Sequence, residues 1–115
     1  MSAEPLTVTV DQVSPDVAVA AVRGELDLAT VEQVEEALAA PAAAGQRVVV
    51  DLTGCEFIDS SGLRALVSAR STAAEAGGGI VLVIDDPGLL RVLEVSALDQ
   101  VFEIHDTRGA ALAAG

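Results

Sequence analysis

The stretch Arg47–Arg70, RVVVDLTGCEFIDSSGLRALVSAR, constrains the fold more than any other part of this chain. From Arg47 to Leu52 it is an apolar run closed by Asp51, the pattern of a strand buried on both faces. Leu63, Leu66, Val67 and Ala74 then recur at helical spacing, which predicts an amphipathic helix. Between the two lies Asp59-Ser60-Ser61-Gly62, a polar junction where the helix begins. Side-chain oxygens of Asp59, Ser60 or Ser61 can accept hydrogen bonds from the first free amides of that helix. The helix dipole also favours negative charge there, a phosphate included. Ser60 is the position on which this reading centres.

The flanking sequence supplies alternating elements. Leu6–Val10 alternates as a half-exposed strand does, and Asp11–Asp16, with Ser14-Pro15, reads as a turn. Val17–Val22 is a second strand, antiparallel to the first because the link is short. Arg23–Ala29 reads as a loop. Thr30 then starts a helix, with Gln33 three positions on to form a capping box and Val31, Val34 and Leu38 as the apolar stripe. Pro41–Gln46 is expected to end that helix. After the Ser60 helix, Gly77-Gly78-Gly79 breaks the pattern and Ile80–Ile84 is another apolar strand. Asp86-Pro87 suits an N-cap and first helical position, with Leu89, Leu90 and Leu93 inward. Ser96–Gln100 links to a last strand, Val101–Ile104, and Thr107–Ala114 is a short terminal helix or a frayed tail. This order predicts one α/β domain over residues 1–115. Its sheet is mixed and mostly parallel, with one antiparallel edge strand and about four helices.

Composition narrows the function. The chain has 115 residues, a formal net charge of -12 and an isoelectric point near 4.1, so nucleic acid and anionic lipid would repel it. A basic or mixed protein surface is the expected partner. Phe57 and Phe102 are the only aromatics, which argues against base or sugar stacking and aromatic cages. All six basic residues are Arg, so any mechanism that needs a lysine is excluded. The single Cys55 permits neither an internal disulfide nor a cysteine metal cluster, and reads as a small half-buried residue. No signal sequence and no apolar run near the roughly 18 residues of a membrane span is present, and a cytoplasmic domain is expected.

Catalytic constellations are poorly supplied. The one histidine, His105, is the only base available to a serine triad, and a lone histidine at a strand end is ordinarily structural. The glycine triplet precedes a strand, whereas phosphate-binding loops follow one. Asp51, Asp59, Asp85 and Asp86 near strand ends suggest a phosphoacceptor-aspartate receiver, but that chemistry requires a lysine. No catalytic residue, metal ligand or cofactor is assigned.

The run Asp59-Ser60-Ser61-Gly62-Leu63, after a buried strand with Asp51-Leu52, resembles the anti-sigma-factor antagonists of the STAS domain family. Gly24-Glu25-Leu26-Asp27 followed by Thr30 resembles that family's other signature, and the resemblance covers essentially the whole chain. It implies a switch. The first serine of the motif, Ser60, is the expected phosphoacceptor of a partner that is both anti-sigma factor and serine kinase. Unphosphorylated, the antagonist binds that kinase and frees the sigma factor; a PP2C-type phosphatase reverses the modification. ATP and magnesium belong to the kinase. Asp27, Thr30, Asp59, Ser61, Gly62 and Arg64 are the expected partner-facing residues, Gly62 because a missing side chain lets a partner backbone approach. The alternatives are that Ser60 and Ser61 only cap the helix and that Asp27 and Thr30 have a purely local role; capping by Ser61 or Asp59 can coexist with the switch. Further alternatives are a STAS module of another signalling assembly or lipid-transport complex, and a small nucleotide-binding protein of the same architecture.

Overall fold

The computed structural model describes residues 6–114. Five strands and four helices follow in chain order: β1 (Thr7–Ser14), β2 (Val17–Leu26), α1 (Val31–Ala43), β3 (Arg47–Ile58), α2 (Ser60–Glu75), β4 (Gly79–Val83), α3 (Pro87–Val95), β5 (Glu103–His105) and α4 (Arg108–Ala113). A short 3₁₀ turn, Leu98–Gln100, precedes β5. The sheet order is β1-β2-β3-β4-β5. Only β1 runs antiparallel to its neighbour, and it lies at the edge, as the short link to β2 predicts.

Alternation along the strands separates two faces. Val22, Val48, Val50, Leu52, Leu82 and Ile84 face the larger core with Val34 and Leu38 of α1, Leu66 of α2 and Leu93 of α3. Each such side chain, fully buried, contributes about 1.5–3 kcal/mol. Val19, Val49, Val81 and Val83 face the other way, against Ala111 and Leu112. The three central strands therefore read as continuous apolar runs, being covered on both faces.

Several boundaries differ from the sequence-based expectation. β1 continues through Asp11 to Ser14, leaving Pro15-Asp16 as the turn, with a register shift between Gln12 and Ser14. Residues 23–26 are not loop but the end of β2, and β3 likewise runs on to Ile58. Register shifts between Ala21 and Arg23 and between Gly24 and Glu25 let the β2–β3 ladder continue to Leu26 opposite Ile58. The β3–β4 ladder stops at Asp51 opposite Val83. The paired ends of β2 and β3 thus project beyond the rest of the sheet. Pro41 lies inside α1, buried in its last turn, where it removes the hydrogen bond that a residue there would donate to the Ala37 carbonyl. The last strand begins at Glu103, because Leu98–Gln100 takes up a 3₁₀ turn first. On α2, Ala73 is buried and Ala74 is exposed, a one-residue offset of the predicted stripe.

Asp51 is not a strand-end cap. It sits within β3 on the α4 face, 7% exposed, and its carboxylate is fully engaged. Oδ1 accepts from the Thr53 amide at 3.0 Å and the Thr53 hydroxyl at 2.7 Å. Oδ2 accepts from Arg108 Nε at 3.0 Å and Nη2 at 2.8 Å. Burial pushes the Asp51 pKa up, but the bonds from Thr53 and Arg108 outweigh it and hold the carboxyl below its usual value. A lowered folded pKa stabilises above the unfolded value of about 3.9, and the contribution is lost as pH falls through the folded pKa. Arg108→Ala is expected to cost about 1–2 kcal/mol at pH 7, below the usual figure for a buried pair because Arg108 is itself half exposed. Urea unfolding in a pH series checks this. The gap between variant and parent should narrow progressively below about pH 4.

Candidate functional site

The site is built where β2 and β3 end and α1 and α2 begin. At the carboxyl ends of parallel strands two helix N-termini open side by side, the usual position for binding in open α/β sheets. Asp59 joins them. It is the N-cap of α2, extended in backbone, and its Oδ1 accepts from Ser61 N at 2.9 Å and Gly62 N at 3.1 Å. Its Oδ2 accepts from the amide of Leu28, in the β2–α1 loop, at 3.3 Å. Asp59 N in turn donates to Leu26 O at 3.2 Å.

Because Asp59 caps the helix, Ser60 does not. Ser60 occupies the first helical position and is exposed, and its hydroxyl makes no hydrogen bond among the described residues. Ser61 is half buried and serves the cap through its amide. Arg64 is exposed on the same helical face one turn after Ser60. Neither serine hydroxyl is hydrogen-bonded among the described residues, and exposure separates them: Ser60 is exposed, with Asp59 beside it, and Ser61 is half buried.

Asp27 and Thr30 form a second local network. Asp27 Oδ1 accepts from Ala29 N at 3.0 Å and Thr30 N at 3.2 Å. The Thr30 hydroxyl donates to Glu25 O at 2.8 Å and accepts from Asp27 N at 3.0 Å. Thr30 is the N-cap residue of α1, but its side chain makes no cap bond, so the expected capping box with Gln33 is not formed. The helical backbone of Thr30 turns the hydroxyl back towards β2 instead.

Gly62 packs against the strand ends. It is buried, and a β-carbon there would lie 2.7 Å from Leu26 Cγ and 2.8 Å from Ile58 Cγ1. Within this chain, the close approach that requires glycine is to Leu26 and Ile58 of the core.

Two exposed apolar residues were not singled out from sequence. Leu28 is 76% exposed at the tip of the β2–α1 loop, and Phe57 is 49% exposed near the end of β3. Both look like core residues by composition; only the chain's departure from the sheet after Leu26 turns Leu28 outward. Cys55 is buried more deeply than predicted, its thiol donating to Phe57 O at 3.3 Å, and burial pushes its pKa up. Thiolate chemistry is thereby disfavoured. His105 stands apart from this site, paired at 2.6 Å with Glu103, which also accepts from Arg47. The Arg47 and His105 bonds hold the Glu103 carboxyl below its usual pKa. Among the described residues no group of three His, Cys, Asp or Glu side chains could hold a metal ion, and no helix is long and apolar enough to cross a membrane.

Asp59→Ala is expected to cost about 1–2 kcal/mol, the usual loss for an N-cap. Hydrogen exchange should accelerate at the amides of Leu28, Ser61 and Gly62 together, because one carboxylate holds all three. Asp59→Asn, which keeps an acceptor, should restore most of the stability.

The STAS domain model matches residues 9–111. The chain belongs to the STAS domain family. It is 34% identical over 97 residues, 84% of either chain, to BtrV of Bordetella bronchiseptica, whose name places it among anti-sigma factor antagonists. The crystal structure of an anti-sigma factor antagonist from Mycobacterium paratuberculosis superposes with a TM-score of 0.85 at 30% identity, over 95% of this chain and 92% of that one. SpoIIAA of Bacillus shares the fold in its unphosphorylated form, with TM-score 0.76, 20% identity and coverage of 92% and 93%. Its phosphorylated form does so too, with TM-score 0.72, 21% identity and coverage of 94% and 98%. Within this STAS chain, the β2–β3 extension is what brings the two signature segments together.

Proposed function

We propose that this STAS protein is an anti-sigma factor antagonist switched by phosphorylation of Ser60. The observation that carries the reading is the division of labour at the α2 N-terminus: Asp59 satisfies the amides, which leaves the Ser60 hydroxyl exposed and uncommitted. Unphosphorylated, the chain binds an anti-sigma factor with serine-kinase activity and so releases the sigma factor. The kinase brings ATP and magnesium; this chain contributes the acceptor hydroxyl and a binding face and performs no catalysis itself. A PP2C-type phosphatase returns it to the binding state.

The chemistry of the modification fits the position. A phosphate adds about -1.5 to -2 charges and three acceptor oxygens. At a helix start its own fold tolerates that charge, and SpoIIAA has this fold in both forms. The effect falls instead on the interface, where the phosphate crowds a surface shaped for a hydroxyl and must be desolvated beside Asp59. Intact-mass analysis after incubation with ATP, magnesium and each purified anti-sigma kinase of the same genome tests this. One added phosphate on the parent and none on Ser60→Ala is the expected result; a phosphate on Ser61 or on both forms would overturn it.

A further inference from the structure

Beside Ser60 a cleft of about 320 Å³ opens between the first turns of α1 and α2. Val31 and Ala65 lie in it, Glu35 and Arg64 stand on opposite helices, and Leu28 and Ser61 close the end nearest the phosphoacceptor. Leu28 is unusual among its neighbours. A leucine 76% exposed can be incidental, but this one is carried on a fixed backbone. Its own amide donates to Asp59 Oδ2, and the residues on either side are tied by Asp27 Oδ1 to Ala29 N and Thr30 N. With its backbone already fixed, only the Leu28 side chain has to be ordered when it is covered at the rim of this cleft, which keeps the entropic cost of an anchor low.

We infer that Leu28 and the cleft behind it are the affinity-determining anchor for the anti-sigma factor, with Asp27, Thr30 and Asp59 acting as positioning residues for Leu28. This rests on the function proposed above. The surface also indicates the chemistry of the occupant. Glu35 lines the cleft, Glu32 is exposed in the first turn of the same helix, and Arg64 is the cation that lines it, on a chain of net charge -12. The complementary partner surface places an apolar side chain in the cleft, flanked by basic residues that meet the acidic rim.

Binding of the unphosphorylated chain to the purified anti-sigma kinases of the same genome, by calorimetry, tests the assignment in three variants. Leu28→Ser is expected to weaken binding about tenfold or more. Its melting temperature should match the parent's, because the side chain contributes little to the core. Ser68→Gln, at an exposed helical position that lines the cleft, narrows it and should weaken binding comparably. Val95→Ser removes an equally exposed apolar side chain, on α3, and should leave binding unchanged. Parental affinity in Leu28→Ser, or an equal loss in Leu28→Ser and Val95→Ser, overturns the inference while leaving the proposed function intact. Absence of binding by the parent to every kinase overturns the proposed function, and this inference with it.

Discussion

Phosphorylation of Ser60 is expected to weaken binding to the anti-sigma factor by about a hundredfold or more, near 3 kcal/mol, while the thermal midpoint moves by less than about 3 °C. The two numbers come from the same geometry. Within the chain, the phosphate sits at the first position of α2, where the dipole contributes about 0.3–1 kcal/mol in its favour. Repulsion from the adjacent Asp59 carboxylate opposes that gain, so stability is almost unchanged. Across the interface the phosphate falls at the kinase's nucleotide site, where like charge opposes it. The acceptor hydroxyl of a kinase substrate faces the nucleotide phosphates, and once modified it presents its own phosphate to them. The loss should appear in the dissociation rate. Association of a chain with net charge -12 to a basic surface is driven at long range, and a further negative charge does not slow it. Surface plasmon resonance on the stoichiometrically phosphorylated chain, together with a thermal melt, checks both parts. A large fall in melting temperature would mean the switch works by loosening the fold.

The order of elements was legible because it rests on local pattern. Apolar runs at Arg47–Leu52 and Ile80–Ile84, and leucines at helical spacing, are decided within a dozen residues. What sequence did not disclose depends on distant partners. Asp51 reads as the end of a strand because its neutralising Arg108 is 57 residues away, on a helix whose docking face no local pattern reveals. Residues 23–26 read as loop because Arg23, Gly24 and Glu25 break the alternation, yet the register shifts against β3 keep them in the ladder. That extension positions the whole site, so the two signature segments could be recognised without their meeting point being derivable. Ser60, Asp59 and Arg64 were identified correctly as neighbours, since the start of one helix contains all three. Leu28 was missed: its exposure follows from the chain leaving the sheet after Leu26 and from the Asp59 bond across 31 residues.

Gly62→Ala is expected to destabilise the fold by about 2 kcal/mol, although an exposed helical glycine replaced by alanine normally gains up to about 1 kcal/mol. The new methyl group would lie 2.7 Å from Leu26 Cγ and 2.8 Å from Ile58 Cγ1. Neither atom is the free end of a flexible chain. Leu26 is 0% exposed and Ile58 4%, so neither side chain has space to withdraw into. The start of α2 can instead lift away from the sheet, but it is fixed there by the bonds from Ser61 N and Gly62 N to Asp59, each worth about 1 kcal/mol. Strain and lost capping therefore compete, and either route exceeds the gain in helix propensity. The lift would also displace Ser60, so phosphorylation should slow even where the variant remains folded. Gly109→Ala is the matched control: its β-carbon meets nothing within 4 Å, and α4 should gain a few tenths of a kcal/mol. Urea unfolding of both variants, with unchanged m-values, decides the matter. Stabilisation by both would show that α2 has slack against β2 and β3, and that the motif's glycine is free to face a partner. Opposite signs would show that Gly62 is required by the contact of α2 with Leu26 and Ile58, which sets the height at which the Ser60 hydroxyl stands above the sheet.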